Sequence, residues 1–153
     1  MKKPIKALTL FLTMLTCFSF LFGCGPKKSE DEIARDRIIS LTEIEVPVNS
    51  KVVYVSREPT KFLTGRRAMY AVFQFESEPT DWLNVNSFYK EKDSEFERYF
   101  PCVFDFLPAK REEIPQEFLP NFEEDYYYLS TTNSVYFVYM PKSFILIVGI
   151  PGH

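Results

Sequence analysis

The sequence predicts an α+β fold: a mostly antiparallel sheet of five to six strands backed by one or two short packed helices. Three observations point there. Apolar runs at 126–129, 135–140 and 144–150 are separated only by turn-forming segments, which suits an antiparallel meander. Two earlier segments, 51–57 and 67–76, carry strand composition and lie close enough to be antiparallel neighbours. Between these groups, Trp82, Val85 and Tyr89 recur at helical spacing.

Taken in order, residues 25–32 are polar and contain Gly25 and Pro26, so they read as a tether. Ile33, Ile38 and Ile39 recur among charged residues and suggest a short helix over 33–40. On this reading residues 24–41 are tether and short helix, and residues 42–150 are a single domain. Ile44, Val46 and Val48 alternate, with Pro47 placing such a strand at an edge. Lys51–Arg57 is a better strand. In 67–76, Met69, Ala71, Phe73 and Phe75 share one face. Glu58-Pro59-Thr60-Lys61-Phe62-Leu63 is echoed by Glu78-Pro79-Thr80-Asp81-Trp82-Leu83. Two copies reflect shared turn chemistry rather than a repeat architecture, with Thr60 and Thr80 placed to cap helical turns.

Beyond Thr80, Asp81 suits the first turn of a helix, where a negative charge complements the helix dipole. Ser94-Glu95-Phe96-Glu97 has the spacing of a capping box, and Pro101 would stop a second short helix carrying Phe96, Tyr99 and Phe100. Residues 108–125 are acidic and punctuated by proline, yet Phe118, Leu119 and Phe122 mark a packed surface segment. In the closing meander, Ile145-Leu146-Ile147-Val148 is apolar on both faces, as in a central or covered strand.

The chain opens with Lys2, Lys3 and Lys6, then an apolar run from Ala7 to Phe22, the layout of an export signal. The end of the run and the two residues after it, Leu21-Phe22-Gly23-Cys24, resemble the lipobox of bacterial lipoproteins. That resemblance covers the leader alone. It implies a signal peptide over residues 1–23, cleavage after Gly23, and a diacylglyceryl group on the Cys24 thiol with an acylated new N-terminus. It also implies a lipid-anchored protein on the extracytoplasmic face of a bacterial membrane. Several acyl chains on one residue give durable attachment, whereas one holds only marginally. A retained transmembrane helix over 4–22 is the competing reading, near the lower length limit and containing Lys6. Free secretion is the third, although the leader lacks an A-x-A site.

Without the leader, 130 residues remain, enough for one modest core. They hold 15 basic and 21 acidic residues, so the net charge of −3 becomes −6. Such a domain has no global attraction to nucleic acid or anionic lipid. Of three cysteines, Cys17 leaves with the leader and Cys24 is lipidated, so Cys102 has no intramolecular disulfide partner. Its bulky apolar neighbours suggest an inert core thiol.

Two groups are candidates for binding. Arg57, Lys61, Arg66 and Arg67 surround the first strand connection and could meet an anionic headgroup or envelope polymer; alternatively they are a solvated loop interleaved with Glu58. Tyr126, Tyr128 and Tyr136 lie in the aromatic-rich meander. On an uncovered sheet face they would suit peptide, sugar or protein contact; beneath helices they would be core. Acidic pairs such as Glu112/Glu113 lack calcium-loop spacing, and Cys102 with His153 offers too few zinc ligands, so neither metal nor cofactor is predicted. Phosphate-loop, nucleophile-elbow and Ser/His/acid patterns are missing from the sequence. The reading is therefore a membrane-anchored envelope lipoprotein that binds a protein or envelope component, with a small envelope hydrolase or enzyme inhibitor as the alternative.

Overall fold

The computed structural model describes residues 28–58 and 67–152. Cys24, the Thr60 turn, Lys61 and Arg66 lie outside the described residues. Five strands, β1 (Lys51–Arg57), β2 (Met69–Gln74), β3 (Tyr127–Ser130), β4 (Tyr136–Met140) and β5 (Ile145–Ile150), form one sheet in the order β1-β2-β5-β4-β3. Every neighbouring pair is antiparallel. The chain is thus α+β, with the meander and the β1–β2 pairing where the sequence places them. The doubly apolar β5 is the central strand, with Val148 paired to Ala71 on one side and Phe137 on the other.

Side chains alternate across the strands and build two cores. Met69, Ala71, Phe73, Phe137, Leu146 and Val148 fill one. Tyr70, Val72, Val138 and Ile147 point into the other. Both faces are covered, so all six residues of β5 are buried. An antiparallel sheet often leaves one face wet; here the β1–β2 half and the meander each carry apolar residues at both parities.

The first face is covered by helix α1 (Glu30–Thr42) and helix α2 (Thr80–Val85). Helix α1 is longer than the 33–40 reading and belongs to the packed domain rather than to a tether. Ser29 and Glu32 form a reciprocal capping box that starts it early, and Ala34 and Ile38, one turn apart, are fully buried. The packed body therefore begins near residue 30, not 42. Arg35 leaves the helix to bond the Val46 carbonyl at 2.8 Å, the Pro47 carbonyl at 3.0 Å and the Ser50 carbonyl at 2.7 Å. Residues 44–48 consequently form no strand: their outward carbonyls serve the guanidinium, Val46 is buried, and Val48 is 85% exposed.

Helix α2 also departs from the sequence reading. Thr80 is its first helical residue and Pro79 its cap. The helix ends at Val85, where the Asn86 side-chain amide bonds the Trp82 carbonyl and Ser87 turns to φ 58°. The Trp82–Val85–Tyr89 stripe is thereby broken. Leu83 carries the buried contact, while Val85 is 82% exposed.

The second face is covered by helix α3 (Ser94–Tyr99), a 3₁₀ segment over Phe100–Phe106 and two single 3₁₀ turns, Arg111–Glu113 and Gln116–Phe118. Among the described residues there are thus three α-helices, in the three regions where the sequence suggests them. The α-helix ends at Tyr99, ahead of Pro101 as the sequence predicts, and Pro101 sits in the first turn of the 3₁₀ segment, where a proline is tolerated. Phe100 and Val103 point inward from that segment, and Cys102 is half-buried rather than in the core. Tyr70 ties the acidic loop to the sheet by donating its hydroxyl to the Phe118 carbonyl at 2.7 Å.

Candidate functional site

The candidate tyrosines come together beside α3. Tyr126 and Tyr128 share a parity on β3 and its approach, and Tyr136 lies diagonally across on β4, where Tyr128 pairs with Val138 and Ser130 with Tyr136. All three rings converge on Phe96 of α3, with centroids 6.5, 4.5 and 5.9 Å from it. Phe96 is buried and fixes the helix against the meander.

Asp93 sets where α3 begins. One carboxylate oxygen accepts the Glu95 N–H at 2.8 Å and the Phe96 N–H at 3.1 Å. The sequence places this role on Ser94, one residue too late. Glu97, read as the partner in a capping box, instead accepts the Tyr126 hydroxyl at 2.8 Å. That hydroxyl also accepts the Asp93 N–H at 3.0 Å. The second Asp93 oxygen accepts the Tyr128 hydroxyl at 2.8 Å.

Between these elements lies a pocket of about 200 Å³. Its walls are two carboxylate residues, Asp93 and Glu95, four rings, Phe96, Tyr99, Tyr128 and Tyr136, and Ser130. Tyr99 is 48% exposed at this site. Tyr126 is buried behind the wall and is a structural pillar rather than a contact residue. Tyr89, 60% exposed, extends the aromatic surface with its ring 5.4 Å from that of Tyr128. Its backbone exchanges two hydrogen bonds with Tyr128, at 2.9 and 2.8 Å, and so closes part of the β3 edge.

The electrostatics suit holding charge rather than moving protons. The Phe96 N–H, followed by the Tyr128 hydroxyl, draws the Asp93 carboxyl below its ordinary value. Burial, then Asp93 itself, pushes the Tyr128 hydroxyl up to about 12. Burial does the same for Tyr126, also to about 12, reinforced by Glu97. Tyr136 is raised by burial and by the neighbouring Cys102 thiol. Cys102 is raised as well, chiefly by burial, which works against thiolate formation. The hydroxyls are therefore protonated donors at neutral pH.

The basic group is assembled only in part. Arg57 makes a two-point contact with Glu30, Nε at 2.8 Å and Nη2 at 2.9 Å. Arg57 and Arg67 line a cavity of about 350 Å³ together with Lys28, Arg37, Asp36 and Glu58. Lys28 is paired with Asp36, and Arg37 donates to the Arg67 carbonyl. Carboxylates are interleaved with the cations, as in an ordinary solvated surface.

Among the described residues no cluster of three His, Cys, Asp or Glu is placed to hold a metal ion, and no helix is long and apolar enough to cross a membrane. Sequence reasoning named the three tyrosines but missed Asp93, Glu95 and Phe96 as their partners. The available signal was Asp93 itself, since Asp caps a helix as well as Ser does. Comparison with known protein families, with curated proteins and with solved structures gave no match to this chain.

Proposed function

We propose that this chain is a lipid-anchored bacterial envelope protein that binds another protein through the flank formed by α3, β3 and β4. The observation that carries this reading is the pocket beside α3, whose aromatic walls continue outward onto exposed Tyr99 and Tyr89. Aromatic side chains with polar tips supply large contact area at small entropic cost, the composition favoured at interface centres. Anchoring rests on the Leu21-Phe22-Gly23-Cys24 lipobox resemblance. Binding is favoured over catalysis because both Asp93 oxygens are taken by the fold and the tyrosines are held protonated.

The test is site-specific photo-crosslinking of the full-length lipidated protein in its native envelope. A crosslinker at Tyr99 is compared with one at Val48, which is highly exposed near the opposite edge of the sheet. The proposal expects a discrete protein adduct from position 99 and none from 48. Equal adducts, or none from either, would overturn it.

A further inference from the structure

We infer that the pocket beside α3 receives a cationic side chain, an arginine or a lysine, projecting from the partner polypeptide. The inference rests on the reading of this flank as the binding face and specifies what enters it.

Size is the first argument. Pockets that enclose drug-sized ligands run from about 300 to 1,000 Å³. At about 200 Å³ this one suits a single side chain. Sign is the second. The walls carry two carboxylates and no basic residue, within a domain whose mature charge is −6. Beside the pocket stands Arg98, whose guanidinium is 3.9 Å from a Glu95 oxygen; both side chains are about 70% exposed (68% and 73%). An exposed pair of this kind is weak and yields to a better-placed cation.

The third argument is what remains for a ligand to touch. The Tyr128 hydroxyl is committed to Asp93 at 2.8 Å, and that of Tyr99 already accepts from Arg98 at 2.9 Å. What the walls chiefly offer is ring faces and negative charge, which together attract a cation. The chain makes the same contact with its own residues: Arg98 lies over the Tyr99 ring at 4.7 Å, and Lys90 over the Tyr127 ring at 5.3 Å. Because Asp93 is pinned by three hydrogen bonds, the walls are set before a partner arrives, and little ordering cost is added on binding.

The test is NMR of the full-length protein in detergent with tyrosine rings selectively labelled. N-acetyl-arginine amide is titrated into the tens-of-millimolar range, where a single side chain binds. N-acetyl-citrulline amide serves as its neutral isostere and N-acetylglucosamine as the sugar probe. The arginine amide is expected to give saturable shifts at Tyr99, Tyr128 and Tyr136, weakening with added salt, and citrulline none. Glu95→Gln, which leaves the Asp93 cap in place, should weaken arginine binding about two- to fivefold. Equal binding of citrulline, shifts from the sugar alone, or no shift from any probe would each overturn the inference. If the crosslink from position 99 persists in those cases, the binding face stands and only its cationic ligand falls; if the crosslink is also lost, both fall.

Discussion

Asp93 divides its two carboxylate oxygens between two elements: one caps α3, and the other receives the Tyr128 hydroxyl from the first strand of the meander at 2.8 Å. A single side chain thus sets both the start of a helix and its position on the sheet. Tyr126 reinforces the joint from behind, bonded to the Asp93 N–H and to Glu97.

This joint should weaken in acid. The folded pKa of Asp93 is lowered, so its contribution is fully present above the ordinary carboxylate pKa, about 3.9, and is lost as pH falls through the lowered value. Asp93→Ala is expected to melt below the wild type at pH 7. The gap between the two melting temperatures should narrow as the pH falls below the ordinary carboxylate range. A gap that stays constant with pH would show that the carboxylate charge is irrelevant to the joint.

The alkaline limb has the opposite sign. Tyr126 and Tyr128 have raised folded pKa values, so their contribution is complete below the ordinary tyrosine pKa, about 10, and is lost as pH rises toward 12. Tyrosinate absorbance should therefore show a late phase, toward pH 12, beyond the ordinary one. Tyr128→Phe should remove amplitude from the later phase and leave the earlier one intact. Loss from the early phase instead would place the Tyr128 hydroxyl in water.

Gly149 is where the sheet meets the 3₁₀ segment. A Cβ there would stand 2.7 and 2.9 Å from the two methyl carbons of Val103. Gly149→Ala is expected to cost about 1–3 kcal/mol, the usual penalty of overpacking. Pairing it with Val103→Ala should recover part of that loss. Chemical denaturation of the two single variants and the double one measures both terms, and additivity would refute the proposed contact.

For the leader, Cys24→Ala should abolish incorporation of labelled fatty acid and block cleavage after Gly23. Continued labelling of the variant would remove the basis for lipid anchoring, whatever the folded domain binds.

The sheet was largely legible because strands advertise themselves twice, by period-two alternation and by the turn residues between them. Even the central place of β5 followed from its apolar residues at both parities. Helix limits were harder. Neighbouring residues compete for one cap, Asp93 against Ser94 and Pro79 against Thr80, and backbone geometry decides between them. Helix α1 was underread because its two buried residues, Ala34 and Ile38, sit among charges, and one of those charges, Arg35, folds back onto the chain at 46–50. The site was half visible. Its tyrosines were named, but their meeting with Phe96 and Asp93 depends on α3 docking across the meander, a tertiary fact that spacing does not encode.

The strand order has a consequence for how the molecule is assembled. The strand that joins the two halves of the sheet is the last one synthesised, since β5 lies between β2 and β4. Met69 must wait for Ile150 before their pairing can form. Until then the chain can hold a β1–β2 hairpin and a β3–β4 hairpin, each with both faces apolar and neither able to bury them alone. Contacts between such distant positions are slow to close. The nascent chain should therefore remain pliable until β5 has emerged, then lock in one step around that strand.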